Sequence, residues 1–493
     1  MKKIIICACL LVSNLLYGQG GIDNLWMMGY ESFLVGPPFG GVNINFISGS
    51  AVINYIPRPM YFGDISATMC DSNGNVLFYT NGVYVANVAD DTMMNGSGLS
   101  PSDYTTAVGE YGLYIPQAAL IIPKPGSNSQ YYLFHGTVDD NVGYAFYIYY
   151  SEIDMSLNGG LGSVTSKNNI LLNDTLIPGR LTAVKHGNGR DWWIVFHQGH
   201  TNRFYLYLVD PSGIHFQATQ NIGTSLIFNL GQGCFSPNGN KFAMYDPSND
   251  LDILDFDRCT GQFSNPIHVA INDNAAGGGV AISPNSEVLY VSSTSYVYQF
   301  DLSAANIPST KTTVAVWDSF YSPSPPAATT FYLSQLAPDG KIYMSCTNSS
   351  KDIHVIDYPD SLGLACHVCQ HCVHLPAYDG FTIPNLPNYH LGAWVGSICD
   401  TLALSYKELR MEDEDVLVFP NPVTKILYAT LNGKFKIQNI KVFNAFGQEM
   451  PLNFSLIKNG KYLELNTSSL SQGIYFLELL SDKEKVVKRF VKE

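Results

Sequence analysis

The stretch SPNGNKFAMYD at residues 236–246 decides the fold. A polar turn centred on Asn-Gly runs straight into a short apolar segment. Asn-Gly and Asp-Gly supply the positive-φ positions that a tight hairpin demands. The same pattern recurs in DSNGNVLFYT (71–80), PKPGSNSQYYLFH (123–135), KHGNGRDWWIVFH (185–197), SPNSEVLYVSS (283–293) and APDGKIYMSC (337–346). The copies are spaced roughly 50 residues apart. Their turns centre on Gly74, Gly126, Gly189, Gly239, Ser286 and Gly340, and each is expected to be a two-residue turn between two strands. Several copies add a further strand ending in an acidic residue: YIYYSEID (147–154), FYLYLVD (204–210), LDILDFD (251–257), VYQFDL (297–302) and IHVIDY (353–358). One such unit cannot bury both of its faces, so the units must stack. The pattern predicts an all-β chain whose body is a β-propeller. Seven blades are expected. The seventh would combine a strand from 25–56 with strands from 380–400, so that both chain ends close the ring and remove the open edge. Six blades is the alternative count, and a sandwich array the alternative fold.

Composition agrees with a strand-rich extracellular protein. Of 493 residues, 14% are charged and 13% aromatic, with 31 Tyr and 26 Phe. The net charge of −14 is unevenly placed. Residues 401–493 hold 13 Lys+Arg against 11 Asp+Glu, whereas residues 1–400 hold 14 against 30. An acidic body disfavours nucleic acid and anionic membrane surfaces as partners. Residues 1–18 read as a signal peptide: Lys2 and Lys3, an apolar run from Ile4 to Leu16, and Gly18 before the cleavage point. No later stretch is long and apolar enough to span a membrane. The body is expected over 19–400, a charged linker over 401–415 and a small β-sandwich over 416–493.

The final segment carries the most specific signatures. VLVFPNPV (416–423), IKVFNAFGQEM (440–450), LNTSSLSQGIYFLELL (465–480) and the basic ending KVVKRFVKE (485–493) occur in that order. Together they resemble the type A C-terminal sorting domain of the type IX secretion system. The residues carrying the resemblance include Pro420, Asn421, Pro422, Gly447, Gly473 and Tyr475. Pro420 and Pro422 would start an edge strand, Gly447 would turn a hairpin, and Gly473 would allow a sharp entry to the next strand. The resemblance implies recognition by the outer-membrane translocon after passage through the periplasm, and a mature protein released or held at the surface. The body is similar to a group of large secreted propeller proteins with no agreed ligand. That likeness runs through CDSNGNVLFYTNGVYVAN (70–87), YSEIDMSLNGGLGSV (150–164), LDFDRCTGQFSN (254–265) and IPNLPNYHLG (383–392). It implies the fold and transfers no functional residue.

Candidate chemistry is sparse. Eight cysteines remain after the signal peptide, and an exported chain is expected to pair some of them. Cys366, Cys369, Cys372 and Cys399 are the disulfide candidates, with Cys399 expected to bond to one of the other three and clamp the ring closure. The CxxCH needed for covalent haem is missed by one residue, since Gln370 follows Cys369 and Val373 follows Cys372. Zinc on these thiols with His371 or His374 is the alternative to a disulfide. Asp71, Asn73 and Asn75 fit the first positions of a calcium loop, but Val76 and Gly82 break the rest. Asp250, Asp252, Asp255 and Asp257 read as a solvated blade edge. His135, His186, His197, His200 and His215 cluster in the second and third units, and Trp192, Trp193 and Trp317 are candidate stacking residues. No GxSxG, HExxH or Walker pattern occurs, and neither a cofactor nor a metal is expected. The expected role is a non-enzymatic platform for a glycan or protein, with a hydrolase or lyase acting on polysaccharide or lactone at the central channel as the alternative. An axial funnel with three or more convergent His, Asp or Glu groups would favour the enzyme, and a channel plugged by apolar and Gly residues the platform.

Overall fold

The computed structural model describes residues 21–33, 36–227, 230–323, 326–400, 416–430, 437–444, 448–458, 461–481 and 485–493. The expected signal peptide over 1–18, the expected linker over 401–415 and Gly447 lie outside the described residues. The chain divides into two compact units, Met1–Leu402 and Ala403–Glu493.

Among the described residues, the first unit is a ring of seven antiparallel blades, with a small two-stranded sheet of Tyr321–Ser322 and Ala327–Ala328 beside them. Blade 1 holds the strands Leu25–Gly29, Gly41–Asn45 and Val52–Tyr55, and blade 2 holds Ala67–Cys70, Val76–Thr80 and Val85–Asn87. The other five blades have four strands each and begin at Ala119, Thr182, Gln232, Gly278 and Phe331. All six turns read from the sequence fall between the first and second strands of blades 2 to 7. Their central residues have positive φ, from 65° at Ser286 to 81° at Gly74 and Gly126. The turns are longer than the expected two residues. Ser236 N–H donates to Lys241 O at 2.9 Å and Gly239 N–H to Ser236 O at 2.8 Å, enclosing residues 237–240. A first turn closed by a left-handed residue needs this extra length, and its glycine forms a bulge in place of a two-residue hairpin.

The second strand of each full blade is sandwiched on both faces, which is why it reads as continuous apolar sequence. Trp192–His197 and Val288–Ser293 are buried throughout. Contiguous apolar clusters fill the spaces between blades. Phe204, Phe242, Phe256 and Phe263 join blade 4 to blade 5, and Leu251, Val280 and Val291 join blade 5 to blade 6. Trp26, Ile44, Leu333 and Val355 join blade 1 to blade 7 and so close the ring.

Closure differs from the sequence expectation. Blade 1 is built wholly from residues 25–55, and the segment 380–400 contributes no strand to it. Two prolines within IPNLPN remove the N–H groups a strand would need, and the segment turns inward to the axis instead. The second unit packs a four-stranded sheet of Val418–Phe419, Ile426–Thr430, Tyr462–Asn466 and Phe454–Ile457 with a three-stranded sheet of Ile437–Asn444, Gly473–Ser481 and Lys485–Lys492. Leu427, Leu463, Leu477 and Phe490 are fully buried in its core.

Candidate functional site

The innermost strand of a propeller blade has one unpaired backbone edge facing the axis, and buried edges must find hydrogen-bond partners. Here three side-chain amides supply them. An amide both donates and accepts, so it can stand in for a neighbouring strand. Gln232 of blade 5 accepts from Val280 N–H at 3.1 Å and Ser334 N–H at 3.0 Å, and donates to Ser334 O at 2.7 Å, bridging blades 6 and 7. Gln117 accepts from Gly233 N–H at 2.8 Å and donates to Gly233 O at 2.9 Å. Asn385 donates to Ala119 O and Leu181 O, both at 2.9 Å, and accepts from Gln117 at 3.0 Å, while its own N–H donates to Ser66 O at 2.9 Å.

Asn385 belongs to the segment that enters the axis after blade 7. Thr382 donates to Phe62 O at 3.2 Å. Asn388 donates to Pro237 O at 2.8 Å, and Tyr389 to Ile121 O at 2.7 Å. Arg258 reaches back to Gly392 O at 2.6 Å, and Trp394 N–H donates to Gly187 O at 2.7 Å. A Cβ on Gly189 would lie 2.4 Å from Ala393 N, so only glycine lets the segment cross this turn so closely. The segment is a plug. It leaves a cavity of about 510 Å³ beside it, walled by Val280, Ser334, Leu336, Asn385, Leu386 and Trp26 among others. The carboxylate and imidazole in its wall, Asp23 and His390, are paired at 2.8 Å. The Asp23 hydrogen bond holds the His390 imidazolium above its ordinary range. Burial pushes the thiol of Cys234, also in the wall, up to about 12.

The disulfides depart from the expected clamp. Cys399 bonds to Cys259, in the turn after the third strand of blade 5, and Cys369 bonds to Cys372. Cys366 is a buried free thiol. The path of the plug explains the difference: it carries Cys399 across the axis to blade 5, away from the cysteine cluster of blade 7. The Cys259–Cys399 bond therefore fastens the plug's far end.

The histidines grouped in sequence are dispersed in space, and none of them walls the cavity. His135 is fully buried between Ser100 (2.7 Å) and Ser151 (2.9 Å), and burial lowers its pKa to about 3. His197 is likewise lowered to about 3 by burial. Asp71 spends its carboxylate on Asn73 and Asn75 within its own turn. In the acidic run, Asp252 bonds His268, Asp255 pairs with Lys241 and Asp257 caps Cys259 N–H. Trp192 is buried between blades, and Trp193 donates to Arg258 O at 2.8 Å. Among the described residues, no group of three or more His, Cys, Asp or Glu is placed to hold a metal ion. The sequence signal for Asn385 was IPNLPN itself, an amide between prolines in a segment with no strand alternation, whereas Gln117 and Gln232 carry no such signal.

In the second unit, Asn421 ties the opening signature to the chain end. Its Oδ1 accepts from Val491 N–H at 2.8 Å and its Nδ2 donates to Arg489 O at 3.3 Å. Pro420 and Pro422 follow the edge strand Val418–Phe419 and do not start it. Tyr475 is buried, stacks on Phe490 at 5.7 Å and donates to Ser471 O at 3.0 Å. Gly473 begins a strand paired at Lys492. A Cβ there would meet only the Tyr475 ring, at 3.7 Å.

Residues 417–493 match the family model of the secretion system C-terminal sorting domain. The tail is a type IX sorting domain, and the chain is a cargo of that pathway, exported to the cell surface or the medium. No curated protein matches the chain in sequence. Among solved structures, a protein from Lactobacillus plantarum is 12% identical with a TM-score of 0.43, covering 73% of this chain and 98% of its own. A gluconolactonase from Xanthomonas campestris is 11% identical with a TM-score of 0.31, covering 58% and 84%. Apo AztD from Citrobacter koseri is 11% identical with a TM-score of 0.35, covering 72% and 95%. Among the described residues, no helix is long and apolar enough to cross a membrane.

Proposed function

We propose that the propeller is a non-enzymatic binding platform, displayed or released by the type IX pathway, for an extracellular glycan or protein. The observation that carries this reading is the plug. Propeller blades surround a central channel, but here the chain's own residues 382–392 fill much of it. The amides that line the axis are spent on backbone. The one carboxylate–imidazole pair in the cavity wall, Asp23 with His390, is satisfied within itself. General acid–base work needs convergent groups near the reacting atoms, and that convergence is what the wall does not offer. Recognition on this reading falls to the outer faces, where Trp394, Val395 and Ile398 stand exposed beside the plug.

The test uses the full-length secreted protein against a panel of polysaccharides, exported proteins and sugar lactones. Saturable binding without turnover is the expected result. Release of reducing ends or ring-opened acid that disappears in Asp23→Asn or His390→Gln would overturn the platform reading in favour of the channel hydrolase or lyase.

A further inference from the structure

The two disulfides differ in kind. Cys259–Cys399 spans 140 residues, whereas Cys369–Cys372 spans three. Cross-links restrain the unfolded chain in proportion to the logarithm of the loop they close. The short bond therefore contributes least to stability, and the local structure does not depend on it. The two residues between its cysteines are already fastened to blade 6's outgoing loop. Gln370 accepts from Asp318 N–H at 3.1 Å and donates to Val316 O at 2.8 Å. His371 pairs with Asp318 at 2.8 Å, stacks on Phe320 at 4.1 Å, and its N–H donates to His354 Nδ1 at 2.9 Å. With φ at +43°, His371 makes a bulge that lifts Cys372 outward. Cys372 is exposed and Cys369 half-buried. Exposed disulfides in short loops are the ones that exchange.

We propose that Cys369–Cys372 is a thiol–disulfide exchange site, with Cys372 as the attacked sulfur and an external dithiol as its reductant. A thiolate of the dithiol attacks Cys372 Sγ. The Cys369–Cys372 bond breaks, and its electron pair leaves on Cys369 Sγ. The dithiol's second sulfur then displaces Cys372 from the mixed disulfide. Two electrons pass to the cysteine pair, two protons from the dithiol protonate the two cysteine thiolates, and the dithiol leaves as a disulfide. The chemistry is confined to this pair. Cys70, Cys346 and Cys366 are buried free thiols and Cys234 is a half-buried one in the axial cavity wall; burial raises the pKa of all four, so they do not join the exchange.

The test treats the full-length protein with graded dithiothreitol under native conditions, followed by alkylation and peptide mass spectrometry. Cys369 and Cys372 should become labelled at a concentration at least tenfold below that needed for Cys259 and Cys399, with the thermal midpoint unchanged. Labelling of all four in one concentration range, or of Cys369 and Cys372 only on unfolding, would overturn the proposal. Two variants test the polarity. Cys369→Ser leaves the exposed Cys372, which should form a mixed disulfide with oxidised glutathione at least tenfold faster than Cys369 does in Cys372→Ser. Equal rates would refute the assignment of Cys372.

Discussion

Asn385 offers the sharpest test of the axial plug. Replacing it with alanine removes the donor to Ala119 O and Leu181 O and the acceptor for Gln117 Nε2. The residue is buried, with 6% of it exposed. Leaving a buried acceptor unsatisfied costs about 1–3 kcal/mol. Two carbonyls are stranded, and Gln117 keeps its bond to Gly233 O, so we expect a loss of about 3–4 kcal/mol. Unfolding entropy near the midpoint is about 2.1 cal/mol/K per residue, or about 0.8 kcal/mol/K for a body of roughly 380 residues. The thermal midpoint of Asn385→Ala should therefore fall by about 4 °C. Asn388→Ala is the internal comparison. It loses a single bond to Pro237 O from a half-buried position and should cost about 1 kcal/mol. Scanning calorimetry of both variants decides the matter. Equal falls for the two, or a fall below about 1 °C for Asn385→Ala, would refute the view that this amide stitches the inner strands.

Cys399→Ser should destabilise the body strongly, since closing a 140-residue separation is worth up to about 5 kcal/mol in the loop-entropy model; protease cleavage near residue 394 should appear at temperatures where the parent resists. Asp64 gives a pH signature: burial raises its pKa from 3.8 to about 7, so its contribution is full below pH 3.8 and is lost as pH rises through 7. Urea midpoints of Asp64→Asn should accordingly rise, relative to the parent, between pH 4 and pH 8. His135, His197 and His354 have the opposite sign, with burial lowering them to about 3, 3 and 4; their neutral forms favour the fold above pH 6.5, and that advantage is lost as pH falls through those values. Asn421→Ala should cost the tail about 1 kcal/mol and speed amide exchange at Val491, whose N–H it frees; unchanged exchange there would contradict the tie between the signature and the chain end.

The blades were legible in the sequence because their turns are governed by local chemistry. Gly74, Gly189, Gly239 and Gly340 are where the backbone must take positive φ, and the second strands must be apolar because sheets cover both faces. The positions of the acidic strand ends followed for the same reason. Residues 380–400 were misplaced because their role is non-local. Asn385 bonds to residues 204 to 268 positions away, and no periodicity encodes such partners. Cysteine pairing failed likewise: proximity in sequence suggested a cluster, while the route of the plug carried Cys399 to Cys259. The tail was legible through ordered signatures, and the tie between Asn421 and Val491 joins the first signature to the last. Pro420 and Pro422 were placed one element early, because proline excludes a central strand equally well before or after an edge strand.

The plug has a consequence for the order in which the molecule is made. Synthesis runs from the N-terminus, so all seven blades emerge before Thr382 does. Until then Ser66, Ala119 and Leu181 keep bare carbonyls toward the axis. The ring is thus finished by its own last twenty residues, and the sorting tail comes after them in the chain. A ribosome that stops short of residue 382 leaves seven blades and no hub, whereas one that reaches the tail has already delivered the piece that locks the wheel.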